Sequence, residues 1–594
     1  MKRVPKPALL MIIGAVATWA RAAEPIAPLG RPDLTGRFLL LSDGSVRAGQ
    51  DGPRLTEWLQ TDGAEARPSD APPATLAWLA PGARVVEAET TAGLLRMTVR
   101  SGADGHGPLG RQSLWLFRAI RIASEAGGPR RARLWVGLQR GGLALRDDLA
   151  LLDGEDVCLV VSRKPDEVRA AEAETTLAFD LSLPKEGPAD LLLAQPAAPM
   201  PYRLRDVPDV RNLNPDFRLG DIVAEWEARV LPHRLLLGNA PLTEAFHAAT
   251  GALLLDAPAP DNPLAVALSL SALARAGLAP QLPRVIETLV AHQAEDGHFA
   301  GLADLGSHAD RTTALADCAL FSDAPERWAQ LLWRPLARAA APLAAASPTA
   351  DGARVALALS RVADVARLVG EPGRAEELAA LAGARGAQAA DTPPRSLFEA
   401  RAQALRLAAA GLRPPEAPDT PSLEETLLSA YVVMQAGEAA ARQRAWQAVE
   451  EGLEAQPLPG PPLQGGRNDV GAAAALVFLI ADSAARAEAD AVHVLPALPA
   501  GWARDGELAR LTGFPSGLGP VRLSAMQAID GAVTLSLPGT PDAAQRLRVS
   551  PPLGTEVSGL RINGKPAPPE LISGGPPWSI DPSVASVVML PKAK

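Results

Sequence analysis

Asp296–Thr313, DGHFAGLADLGSHADRTT, crowds Asp296, His298, Asp304, His308 and Asp310 into one polar, glycine-rich stretch. Carboxylates and imidazoles placed in this way can exchange protons with a bound molecule near neutral pH. The competing role is a solvated loop. A metal reading fails on spacing, because His298, His308 and Asp310 fit no compact zinc pattern. A second stretch, PPLQGGRNDVGAAAALVFLI (Pro461–Ile480), places Arg467 and Asp469 directly before an apolar helix. Asp469 can serve as a base or as the N-cap ahead of Val470. Arg467 cannot be a base, since a guanidinium does not lose its proton usefully. Asp351 is read as a further N-cap. Ser422-x-x-Glu425 reads as a capping box, which gives Glu425 a structural task.

These residues need elements to hold them. Short apolar or alternating runs fill the first third of the chain: SLWLFRAIRIAS (Ser113–Ser124), ARLWVGLQ (Ala132–Gln139), DVCLVVS (Asp156–Ser162) and TLAFDLSL (Thr176–Leu183). Gly, Pro and Asp clusters separate them, as in an antiparallel sandwich. After the polar connection 206–220 the period becomes helical. Leu282, Val285, Ile286, Leu289 and Val290 share one helix face. Asn262 can cap a helix with Pro263 at its first position, and Gly277 can end it. Another helix fits Arg354–Val369, stopped by Gly370 and Pro372. About eleven or twelve helices fit between Asp221 and Ala487, with no consensus repeated at the fixed period of a solenoid. From Val492 onward β patterns return. The expected order is residues 30–205 as a β-sandwich, 221–488 as helices and 489–594 as a smaller β-domain.

Length and composition agree with several domains: 594 residues, 47% hydrophobic and 21% charged. A formal net charge of -9 gives no reason to expect a nucleic-acid partner. The start, MKRVPKPALLMIIGAVATWARAA, has a basic head, an apolar run too short to span a bilayer and small residues before Ala23. Residues 1–22 are therefore expected to be a secretory signal peptide, and the protein to be exported to the periplasm or beyond. No later segment reads as a membrane span. The two cysteines, Cys158 and Cys318, fall in different expected domains, which leaves no disulfide framework and no zinc pair.

VHVLPALPAGWARDGELARLTGF (Val492–Phe514) resembles the strand that leaves the (α/α)6 barrel in six-hairpin glycosidases. In families such as the bacterial α-L-fucosidases and the glycoside phosphorylases, an LLPALPxxW segment precedes a β-domain. GAVTLSL resembles the strands that follow, and DNPLAVALSLSALARAGL with VIETLVAHQAEDGHF resembles a barrel helix pair. The resemblance implies an N-terminal antiparallel β-sandwich, a central (α/α)6 barrel of helical hairpins and a C-terminal small β-sandwich. It implies a carbohydrate partner, no cofactor and two carboxyl groups acting by inversion, about 6.5–9.5 Å apart. The base is expected just before the last helix and the acid in a loop near the middle of the ring. Aligning Gly471 with the last Gly of the fucosidase-like Q-x-D-G-N-F-G puts Arg467 on the catalytic Asp and Asp469 on the Asn. Asp469 is then the candidate base if the backbone shifts by two residues, and Asp310 the candidate acid. The candidate sugar-binding residues are Asp261, Asp296, His298, His308, Trp226 and Arg467, with Trp226 alternatively a core residue.

Two rivals remain open. A non-catalytic glycan-binding or structural relative accounts for the altered GGRND stretch and the short loops. A polysaccharide lyase would want a Tyr in a polar loop, and Tyr202 and Tyr431, the two tyrosines, do not lie in one.

Overall fold

In the computed structural model the described residues are 25–592, apart from 30–36, 62–63, 66–74, 81–83, 108–111, 126–130, 185–186, 204, 231–233, 257–261, 279–282, 300–303, 348–350, 387–392, 415–420, 457–462, 465–466, 489–490, 504–505, 517, 538–545 and 582–583. The expected signal peptide lies outside them. They fall into two compact units, one built mainly from residues up to Asp216 and the other from Phe217 onward together with 78–86.

The first unit is made of antiparallel sheets. One runs through Phe38–Leu41, Val46–Ala48, Arg54–Thr61, Arg131–Leu138 and Thr175–Ser182. The other has Ser113–Ser124 at its centre, paired with Leu95–His106 and Ala189–Pro196. Ser113–Ser124 forms a strand over the whole run read from the sequence, and Trp115 through Ile120 are buried without interruption. Arg118 on this strand reaches Glu57 on the other sheet through Nε to Oε1 at 2.7 Å and Nη2 to Oε2 at 2.5 Å. Both side chains are buried, so each charge answers the other's desolvation. Trp58 and Trp135 stack with ring centres 6.2 Å apart.

The second unit carries twelve helices among the described residues up to Ala484. They are α1 (Pro215–Val230), α2 (Ala240–Asp256), α3 (Pro263–Arg275), α4 (Pro283–Ala291), α5 (Leu305–Leu320), α6 (Pro325–Ala345), α7 (Gly352–Leu368), α8 (Pro372–Gly386), α9 (Leu397–Ala410), α10 (Leu423–Ala436), α11 (Ala439–Glu454) and α12 (Val470–Ala484). The start signals act as the residue types demand. Asn262 accepts from Leu264 N and Ala265 N ahead of Pro263, and Ser422 with Glu425 closes the capping box of α10. Asp351 precedes α7 but makes no side-chain cap; its Oδ1 instead takes a hydrogen bond from Arg354 at 3.2 Å. Successive contacts link α3 to α5, α5 to α7, α7 to α9, α9 to α10, α10 to α12, and α12 back to α3. Four more lean on this cycle: α2 on α3 and α12, α6 on α5 and α7, α8 on α7, α11 on α10. α12, apolar on every side, is buried along nearly its whole length, as such a helix must be.

The tail sheets pack within this same unit. A strand that sequence patterning did not reveal, Arg234–Leu237, pairs with Glu507–Pro515 and so joins the first helices to the tail. Ala491–Val494 pairs antiparallel with Ala485–Glu488 and parallel with Arg546–Val549. Beyond it the chain turns through Leu495 and Pro496 to Trp502. Trp502 meets Trp446 of α11 edge-on at 4.6 Å and donates Nε1–H to Glu450 Oε1 at 2.8 Å. Trp446 in turn donates to Ala497 O at 2.7 Å. The Pro- and Trp-bearing exit therefore clamps the tail to the helices.

Candidate active site at the helix N-termini

Helix starts present unpaired N–H groups and a partial positive charge, which favour carboxylates there. Several helices of the cycle carry carboxylates in their opening turns. Asp469 is the N-cap of α12, accepting from Ala472 N at 3.0 Å, and is 8% exposed. Glu424, one residue before the capping-box glutamate, lies in the first turn of α10. Its carboxylate lies against the first turn of α12, where a β-carbon on residue 471 would come closer to Oε1 than the 3.0 Å that real side chains respect. Gly471 is therefore what lets this acid approach the helix backbone. Burial, then the Asp469 charge, then Glu425 push Glu424 up to about 7. The two carboxyls thus differ as an acid–base pair needs: one readily protonated at neutral pH, the other held at a helix start.

Asp310, in the second turn of α5, is 1% exposed. Arg354 of α7 engages both of its oxygens, Nε reaching Oδ1 at 2.9 Å. Burial pushes its carboxyl up to about 6 against the pull of Arg354. As placed, it must release Arg354 before it can meet a substrate. Gly306 makes room for that guanidinium, since a β-carbon there would strike it.

The remaining candidates scatter. His308 is buried, donating Nε2–H to Ala339 O at 2.9 Å between the rings of His298 and Phe299. Burial lowers its pKa, so it is a neutral packing residue rather than a sugar contact. Asp296 is exposed and accepts from His298 N at 3.0 Å, which makes a turn of that pair. Trp226 is 3% exposed, in line with its core alternative rather than a stacking platform. Asp261 lies outside the described residues. Arg467 forms a short backbone pair with Gln464, and its side chain also lies outside what is described. Among the described residues no group of three or more His, Cys, Asp or Glu could hold a metal ion.

Sequence reading missed Glu424 as a partner of Asp469, although the adjacent capping box marked the place. It also missed a buried second rung of charges. Asp317, two turns beyond Asp310 on α5, accepts from Arg401 of α9 at 2.6 and 3.0 Å and lies 3.8 Å from Arg361, two turns beyond Arg354 on α7. The matched spacing, Asp310 to Asp317 on one helix and Arg354 to Arg361 on another, was the signal available, since residues seven apart share a helix face.

No family model and no curated protein matches the chain. Solved structures do. A bacterial glucoamylase complexed with acarbose matches at TM-score 0.51 and 10% identity, covering 78% of this chain and 94% of its own. An α-L-rhamnosidase from Dictyoglumus thermophilum matches at TM-score 0.40 and 10% identity, over 93% and 72%. The GH92 family glycosyl hydrolase ccman5 matches at TM-score 0.36 and 11% identity, over 96% and 96%. The chain therefore shares its fold with the first of these structures, and at 10% identity the likeness is one of fold alone.

Proposed function

We propose that this chain is an exported glycan-active protein whose cycle of α3, α5, α7, α9, α10 and α12 closes as an (α/α)6 barrel, with helix N-termini facing an oligosaccharide. The observation that carries the reading is the Glu424–Asp469 pair, two carboxyls on neighbouring helix starts with opposed environments. In an inverting reaction Glu424 gives its proton to the glycosidic oxygen while Asp469 takes one from water attacking the opposite face of the sugar. The glycosidase-type fold and the signal-like N-terminus support the assignment. Asp310 stays the alternative acid, conditional on release from Arg354.

The test is a panel of oligosaccharides with anomer-resolved product analysis. Glu424→Gln and Asp469→Asn should each lose about 10²–10⁴-fold in kcat while remaining folded. If Asp310→Asn alone abolishes turnover and Glu424→Gln does not, the acid is Asp310. Saturable binding with no turnover by the wild type would return the non-catalytic, glycan-binding alternative. A lyase is disfavoured, because burial and Asp482 hold the Tyr431 phenol far above the range of a base.

A further inference from the structure

A second polar depression, of about 110 Å³, is formed by α5, α7, α9, α10 and the end of α12. Its lining includes Arg361, Arg401, Arg486, Tyr431, Gln435 and Phe321, and it shares no residue with the Glu424–Asp469 pair. A space of this size holds several water-sized groups. Leu405 on its wall is 48% exposed, so the depression reaches solvent.

The hydrogen-bonding capacity of the wall is one-sided. The carboxylates in and behind the wall are already engaged. Asp317 takes two hydrogen bonds from Arg401 and one from Ser271. Asp482 takes one from Arg275 at 2.6 Å and one from Tyr431 at 2.8 Å. Donors are left over. Nε of Arg361, Nε of Arg401 and the amide nitrogen of Gln435 are buried and make no hydrogen bond. Buried donors without an acceptor are costly and uncommon in native proteins. An occupant that brings oxygens and negative charge, and no donors, completes the wall. The remaining lining, Phe321 and Ala404 with Ala408, is apolar and suits a short carbon body.

We propose that this depression binds a small organic carboxylate, its two oxygens meeting the guanidinium of Arg361, the Nε of Arg401 and the Gln435 amide, and its carbon end lying against Phe321. Planar guanidinium groups match a carboxylate better than a rounder anion. The site is independent of the carbohydrate reading, since none of its residues belongs to the carboxyl pair.

The experiment is ligand-observed NMR titration of the full chain at constant ionic strength, with butyrate, its neutral counterpart butyramide and inorganic phosphate as probes. Butyrate should bind saturably and butyramide should not. Arg361→Gln, at a partly exposed position, and Gln435→Leu should each weaken butyrate by about tenfold with the circular dichroism spectrum unchanged. Absence of saturable butyrate binding, or undiminished binding by both variants, overturns the proposal. Phosphate binding more tightly than butyrate overturns the carboxylate assignment.

Discussion

The Glu424 carboxylate rests on Gly471, in a gap that a single added methyl group would fill. An acid on one helix thereby reaches the first turn of the next, beside Asp469. The chemistry proposed above and much of the local energetics follow from that contact.

Gly471→Ala tests the contact. Within a helix Ala is favoured over Gly by up to about 1 kcal/mol. Here the new β-carbon meets only the far end of the Glu424 side chain, which must swing aside, so part of that gain is offset. Chemical denaturation should show a smaller gain from Gly471→Ala in the wild type than in a Glu424→Ala background. Equal effects of Gly471→Ala in both backgrounds would mean that the contact is absent.

Glu424 also predicts a pH dependence. Its carboxyl, ordinarily near 4.5, is pushed up to about 7. Between those values the folded protein keeps a proton that the unfolded chain has released, so stability falls as pH rises through this window. Asp310, pushed up to about 6 from 3.8, adds a drop over a lower window. Glu424→Gln keeps the neutral form at every pH. Its urea midpoint, subtracted from that of the wild type, should change most between about pH 4.5 and 7. A flat difference across that range counts against the half-buried, protonated acid.

Asp317 and Arg361 should separate in their effects although they face one another. Asp317→Ala leaves Arg401, 1% exposed, without its carboxylate, and uncompensated buried charges cost about 3–5 kcal/mol. Arg361 is 22% exposed and 3.8 Å from Asp317, so Arg361→Ala should cost less than about 1 kcal/mol. Thermal unfolding of the two variants gives the comparison, and similar Tm losses would contradict it.

Trp502→Ala should loosen the clamp between the tail and α11. It removes the edge-on contact with Trp446 and the donor to Glu450. A buried Trp truncated to Ala costs about 3–5 kcal/mol. Limited proteolysis should then release the tail early; a cleavage pattern like that of the wild type would refute the clamp.

Local rules made some features readable in advance. The Ser113–Ser124 strand follows from its apolar run, and the capping box at Ser422 and Glu425 from its spacing. Asn262 with Pro263, and Asp469 before Val470, mark helix starts because a cap satisfies N–H groups only a few residues away. The proline- and tryptophan-bearing exit at Val492–Trp502 was legible for the same reason: prolines and a large ring limit what a short segment can do.

Other features depended on partners far along the chain. The capping rule says that Glu425 turns back to Ser422, but not that Glu424 finds Gly471, forty-seven positions away. The crowded stretch from Asp296 to Asp310 looked like one site, yet its members part: α5 turns Asp310 toward Arg354 and His308 into the core, while Asp296 stays in an exposed turn before it. The buried rung of Asp317, Arg361 and Arg401 joins three helices. By itself, then, the sequence determined element types and helix starts, because these rest on interactions within a few residues. Only the tertiary structure decided which charges meet and which are buried, because those pairings depend on which helix faces pack together, and desolvation acts on what that packing encloses.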